Sequence, residues 1–104
     1  MKTFEDLEFK DHSNNPDAIM AQLLVGDYSF SVVTNKGNRT GGLYGNVDSG
    51  QFEVACFRPT EGAGFEWVKL SEYDDVLGWQ TKENINGLFE LAEEGSLVDY
   101  NQFG

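Results

Sequence analysis

Apolar and polar positions alternate along several stretches of the chain, and near the C-terminus the period changes to that of a helix. Neighbouring side chains of a strand point to opposite faces, whereas a helix gathers residues i, i+3, i+4 and i+7 onto one stripe. The clearest alternation is YSFSVVT at 28–34, where Tyr28, Phe30 and Val32 face one way and Ser29, Ser31 and Val33 the other. QFEVACF at 51–57 repeats it, with Phe52, Val54 and Cys56 opposing Glu53, Ala55 and Phe57. AIMAQLLV at 18–25 is apolar enough for a central strand and also passes for a short helix. LEFKD at 7–11 predicts a first short strand, ended by the turn formers SNNP at 13–16. FEWVKL at 65–70 predicts another strand. VLGWQ at 76–80 reads either as a small edge element or as an irregular segment that packs Trp79 into the core.

Residues 82–94, KENINGLFELAEE, have the helical period: Ile85, Leu88, Phe89 and Ala92 form one apolar stripe. Thr81 is placed to cap the first turn, Glu83 suits its partial positive charge, and Gly95 suits the residue just past the end. Gly87 inside the helix costs about 1 kcal/mol relative to Ala and reads as an allowance for close packing. Glu90, Glu93 and Glu94 fall in the last turn, where the helix dipole disfavours acids. Trp79 and Phe89 are assigned to the core.

The connections carry their own chemistry. Gly26-Asp27 supplies a two-residue hairpin turn with Gly at the first central position, as type II′ requires. Residues 35–50 hold five of the twelve glycines and three asparagines, an unusually long connection. It predicts either a hairpin with a flexible tip or a short extra strand around Leu43-Tyr44. No GxxxxGK[ST] or GxGxxG occurs, so phosphate binding is not expected. The last residues, SLVDYNQFG at 96–104, either add a strand, dock on the helix, or stay an exposed apolar peptide. The pattern as a whole predicts one α+β domain over residues 1–104: an antiparallel sheet of four or five strands with one C-terminal helix packed on one face.

Length supports this, since 104 residues make one domain with a core of its own. Charge narrows the partners. Eighteen Asp+Glu against seven Lys+Arg give a net −11, a field that repels nucleic acid and anionic membranes and steers basic surfaces toward the chain. The plainer alternative is that the acidity only keeps the protein soluble. It is uneven: residues 1–60 hold eight acids and five bases, residues 61–104 ten acids and two bases. The charge is therefore concentrated around Glu72, Asp74 and Asp75 and along the helix to Glu90, Glu93 and Glu94, the six candidates for contact with a basic protein partner.

Catalytic parts are missing from the sequence. The single His12 sits beside Asp11 before a turn, without the further ligands a metal needs. Asp74 and Asp75, with Glu72 nearby, invite an acid/base or cation reading, but SEYDDVLG lacks the alternate-position spacing of a calcium loop. No GxSxG elbow or second imidazole accompanies the serines. The lone Cys56 falls in an apolar alternation and reads as a buried, inert thiol. No catalytic residue, metal or cofactor is expected. The opening MKTFEDLEFK has no apolar signal-peptide core, and no apolar run approaches a membrane span, which gives the chain a cytosolic character. Tyr44, Trp67, Tyr73, Trp79, Tyr100 and Phe103 exceed the needs of a small core; they read either as anchors for a partner or as ordinary core residues, the core being preferred for Trp79.

Four segments in this order, LEFKDH, GDYSFSVV, FEVACF and DDVLGWQTKENINGL, resemble a group of small uncharacterised proteins encoded by bacteriophages and prophages. There an LEFxxH opening leads to a hairpin ending in SVV, a GLYE-type strand, and a DDVLG(Y/W)xT–E segment entering a final helix. The matching positions are Leu7, Glu8, Phe9 and His12; Tyr28, Ser31, Val32 and Val33; Phe52, Glu53 and Ala55; and Asp74 to Trp79 with Thr81. The chain departs from the pattern in its long 35–50 connection and its tail at 96–104. The resemblance implies a phage-like origin and a sheet-plus-helix fold, and it assigns no activity or site residues. Together with the charge, it leads to the expectation of a non-enzymatic accessory protein in the host cytoplasm. Such a protein would bind and modulate or inhibit a host or phage protein, in the sharpest version by mimicking DNA. The competing expectation is a structural or virion-associated module that self-assembles. Least favoured is an enzyme or metal protein built on His12, Glu72, Asp74 and Asp75.

Overall fold

The structure, a computed structural model, describes residues 1–37, 45–60, 62, 64–72 and 76–100. Six strands form one antiparallel sheet: β1 (Lys10–Asp11), β2 (Ala18–Val25), β3 (Tyr28–Asn35), β4 (Phe52–Pro59), β5 (Phe65–Val68) and β6 (Leu77–Gln80). Among the described residues one α-helix, α1 (Lys82–Glu94), closes one face. Strands β1 to β5 follow one another in space, and β6 pairs with β4. Strand β4 is thus shared: Phe52 and Val54 pair with β6, while Cys56 to Pro59 pair with β5. The α+β architecture expected from the periodicities is the one observed.

The β2–β3 hairpin sets the frame. Its register runs from Ala18 opposite Asn35 to Val25 opposite Tyr28 without a slip. Gly26 takes φ +61°, as the first central residue of a type II′ turn must. A Cβ there would also lie 2.9 Å from the Ala92 carbonyl oxygen, because the turn runs directly beneath the end of α1. Strand 18–25 resolves the ambiguity of its apolar run: pairing on both edges, to β1 and β3, satisfies its backbone.

Register then decides the faces. Ala21, Val25, Phe30, Val32, Val54, Cys56 and Val68 point toward α1 and are buried there against Ile85, Phe89 and Ala92. Phe30 and Phe89 meet edge to face with centroids 5.0 Å apart. The helix ends are those its sequence demands. The Thr81 hydroxyl accepts from the Asn84 N–H, the Asn84 side chain accepts in return from the Thr81 N–H, and Gly95 adopts the left-handed conformation.

Three expectations need correction. The strand predicted over 7–11 shrinks to Lys10–Asp11, because the residues before it serve the core instead. Phe4 to Asp6 form a short 3-10 turn capped by Thr3, Leu7 is buried, and Phe4 and Phe9 pack on Phe52 with centroids 5.1 and 5.5 Å away. Trp79 is not in the core: it is 55% exposed on β6, with φ +57°, next to the register shift between Phe52 and Val54. Gly87 does not serve close packing, since a Cβ there would meet no atom of the described residues within 4 Å.

The long 35–50 connection is anchored at both ends. Asn35 is buried and donates to the Gly45 carbonyl, the Thr34 hydroxyl donates to the Gln51 carbonyl, and Asn46 caps a 3-10 turn at Val47–Ser49. The alternative strand around Leu43-Tyr44 lies outside the described residues. Of the tail, residues 96–100 dock on the body. Leu97 packs against the core, and the Tyr100 N–H donates to the Lys69 carbonyl at 2.8 Å.

Candidate functional site

Two surfaces stand out, on opposite sides of the sheet. The first is the exposed side of α1. At 100° per residue, Glu83, Gly87, Glu90 and Glu94 lie together, directed away from the buried stripe of Ile85, Phe89 and Ala92. Glu83, Glu90, Glu93 and Glu94 are all exposed. Glu93 is engaged: its carboxylate accepts from the Lys2 backbone N–H at 3.0 Å. Among the described residues, no cation pairs with Glu83, Glu90 or Glu94.

Folding enlarges this acidic surface beyond what the chain order suggests. The 3-10 turn at Phe4–Asp6 lies along α1, held where the Phe4 N–H donates to the Asn86 side-chain carbonyl at 2.7 Å. It brings Glu5 and Asp6 beside the helix, with Glu5 paired to Lys82 at 3.3 Å. Six carboxylates thus lie on or beside α1, one of them paired to Lys82. The acids of the N-terminal segment, counted in the milder half of the sequence, belong in space to the strong one.

This surface is not flat. A shallow groove of about 550 Å³, open to solvent and walled among the described residues only by α1 and Gln80 before it, follows the helix to Glu94. Glu83, Glu90 and Glu94 line it together with the apolar Leu88 and Leu91, and Gly87 lies in its middle. Leu91 is 40% exposed.

The second surface is the face of the sheet that α1 leaves uncovered. Register places Leu24, Ser29, Phe57 and Trp67 in one row across four strands, with Phe65 at the end of β5 beside them. Phe57 and Trp67 are in ring contact at 4.5 Å. Leu24 and Phe65 are each 67% exposed and Trp67 46%. Among the described residues the charges that register assigns to this face are Lys10 and Glu53, so it is apolar and nearly neutral where the helix side is acidic.

The six residues singled out from sequence divide accordingly. Glu90 and Glu94 meet in the groove, Glu93 is drawn to the N-terminus, and Glu72 is exposed after β5. Asp74 and Asp75 lie outside the described residues, as do Tyr44, Tyr73 and Phe103. The structure adds Glu83 from the first turn, together with Gly87, Leu88 and Leu91, which a charge count passes over; the helical spacing of Glu83, Gly87, Glu90 and Glu94 was the available signal. His12 serves its turn, its Nδ1 accepting from the Asn14 N–H at 3.1 Å. Among the described residues no three His, Cys, Asp or Glu side chains group as a metal site. Cys56 is fully buried, and burial first, then the nearby Asp99 carboxylate, push its thiol up to about 12. No helix among the described residues is long and apolar enough to cross a membrane.

Comparison with known proteins identifies no relative: no family model, no curated protein and no solved structure matches the chain.

Proposed function

We propose that this chain is a non-enzymatic accessory protein of bacteriophage type that acts in the host cytoplasm by binding a protein with a basic surface and modulating or inhibiting it. The observation that carries the reading is the gathering of Glu5, Asp6, Glu83, Glu90, Glu93 and Glu94 around α1, with Glu83, Glu90 and Glu94 unpaired among the described residues. Unpaired carboxylates on a rigid element need no rearrangement to meet cations, and their field raises the rate of encounter with a basic partner. In its sharpest form the surface mimics DNA, its carboxylates standing in for phosphates in a channel built to hold nucleic acid.

The test is capture from host lysate by the immobilised chain and by the triple variant Glu83→Gln, Glu90→Gln, Glu94→Gln. The reading expects a partner that the parent retains at low salt and releases as salt rises, that the variant does not retain, and that loses nucleic-acid binding when complexed. Capture that is insensitive to salt and equal for both proteins would sink it.

The uncovered sheet face favours a second reading, a module that self-associates. Two copies meeting through Leu24, Phe57, Phe65 and Trp67 would keep their acidic helices on the far sides. Sedimentation would then show mass rising with concentration in the micromolar range, and the pair Phe65→Ser, Trp67→Ser would abolish the rise. A parent that stays monomeric up to about 100 μM, well above the micromolar range this reading expects, excludes it.

A further inference from the structure

Gly87 is the least economical residue of α1. It weakens the helix relative to Ala, and nothing among the described residues requires it: its φ is not left-handed and a Cβ would meet none of their atoms within 4 Å. The space beside it is the groove along α1, whose apolar residues are Leu88 and Leu91 and whose acids are Glu83, Glu90 and Glu94. A missing side chain between acidic and apolar positions leaves room for a close backbone approach, as small residues do where two helices cross. The groove runs from the start of the helix to its end, a length of about 20 Å at 1.5 Å per residue, which matches three to four turns of a second helix.

We propose that this groove receives a basic amphipathic helix from a partner protein. The partner's backbone crosses at Gly87, its apolar residues rest on Leu88 and Leu91, and its Lys or Arg side chains pair with Glu83, Glu90 and Glu94. Charge selects the sign of the occupant and the Leu pair selects its amphipathicity, in the helix-in-groove mode read by anchors at i, i+3, i+4 and i+7. The proposal rests on the reading of the acidic side as the partner-binding side, and it narrows that partner from any basic surface to a helix with one apolar stripe.

The experiment uses the full chain and two synthetic peptides of about 18 residues, long enough to span the groove. One is a Lys/Leu helix with Leu on a single stripe; the other has the same composition scrambled so that the stripe is lost. Binding is measured by calorimetry at about 150 mM salt, where exposed charges beyond about 8 Å are screened, and mapped by amide chemical shifts. The striped peptide should bind at least about tenfold more tightly than the scrambled one, a factor that one well-seated apolar anchor supplies. It should shift Gln80, Gly87, Leu88 and Leu91. Gly87→Leu, which fills the groove with a better helix former, should weaken binding about tenfold or more while melting at or above the parent's temperature.

Equal binding of the two peptides, or an unchanged affinity in Gly87→Leu, overturns the groove. The Glu83→Gln, Glu90→Gln, Glu94→Gln variant separates the two levels. If it loses both peptides while Gly87→Leu binds normally, the acidic side remains the partner side and the groove is refuted. If it binds both as well as the parent, the broader reading falls too. Failure of the parent to bind the striped peptide refutes the groove outright.

Discussion

Replacing Asp99 by Ala should be among the most damaging changes outside the apolar core, although Asp99 sits in a segment that resembles a loose tail. Its side chain is 4% exposed and accepts from Arg58 Nη2 at 2.6 Å and from the Lys69 N–H at 3.0 Å. A hydrogen bond to a charged group contributes about 1.5–3 kcal/mol, and a buried N–H left without a partner costs about 1–3 kcal/mol. Breaking a fully buried pair costs about 3–5 kcal/mol. Arg58 is 28% exposed and keeps Glu66 at 2.6 Å, so the lower end applies. Asp99→Ala should therefore lose about 3 kcal/mol. Asp99→Asn keeps an oxygen for the Lys69 N–H and gives up the charge, for a loss of about 1.5 kcal/mol. With unfolding entropy near 2.1 cal/mol/K per residue, 1 kcal/mol corresponds to roughly 5 °C in a chain of this size, or drops of about 14 °C and 7 °C. Urea unfolding followed by tryptophan fluorescence measures both variants. Glu66→Gln, at a half-exposed partner, should change stability by less than about 0.5 kcal/mol. If both Asp99 variants unfold within about 0.5 kcal/mol of the parent, the clasp is ornamental and residues 96–100 do not belong to the folded unit.

Cys56 supplies a pH test. Its thiol is raised from 9.0 to about 12 in the fold, so between those values the unfolded chain releases a proton that the folded chain keeps. Stability present below pH 9 should fall by about 1.4 kcal/mol per pH unit above it, a slope that Cys56→Ala removes; equal slopes for the two proteins above pH 9.5 would refute the assignment. Phe89→Ala, at the buried ring against Phe30, should cost about 3–5 kcal/mol and Phe89→Leu less than about 1.5 kcal/mol, as chemical unfolding would register. Thr81→Ala removes the cap of α1 and should cost about 1 kcal/mol, seen as earlier loss of helical circular dichroism; Asn84→Ala, which keeps the hydroxyl bond, should cost less.

What could be read from the chain was whatever is local. Strands β3 and β4 follow from alternation, because burial on one face of a sheet imposes period two on its own residues; β2, an unbroken apolar run, needed its pairing to β1 and β3 to be told from a helix. The bounds of α1 follow from Thr81 and Gly95, because capping is settled between residues three or four apart. The excess of acid on Glu90 and Glu94 was likewise legible from counting. The failures share the opposite property. Trp79 is an apolar residue in an apolar run, and only the shifted pairing of β6 against β4 turns it outward. Phe9 looked like strand material until Phe52 gave it something to pack on. Asp99 is one carboxylate in eighteen by composition, and it became a clasp because β4 and the end of β5 carry Arg58 and the Lys69 N–H to it. The candidate site divides along the same line. The sequence determined its charge, since the carboxylates of α1 lie within one helix. Tertiary structure decided its shape and extent: it brought Glu5 and Asp6 alongside α1, and among the described residues it left nothing opposite Gly87. A side chain's partners across the fold depend on register and docking, which no window of neighbouring residues contains.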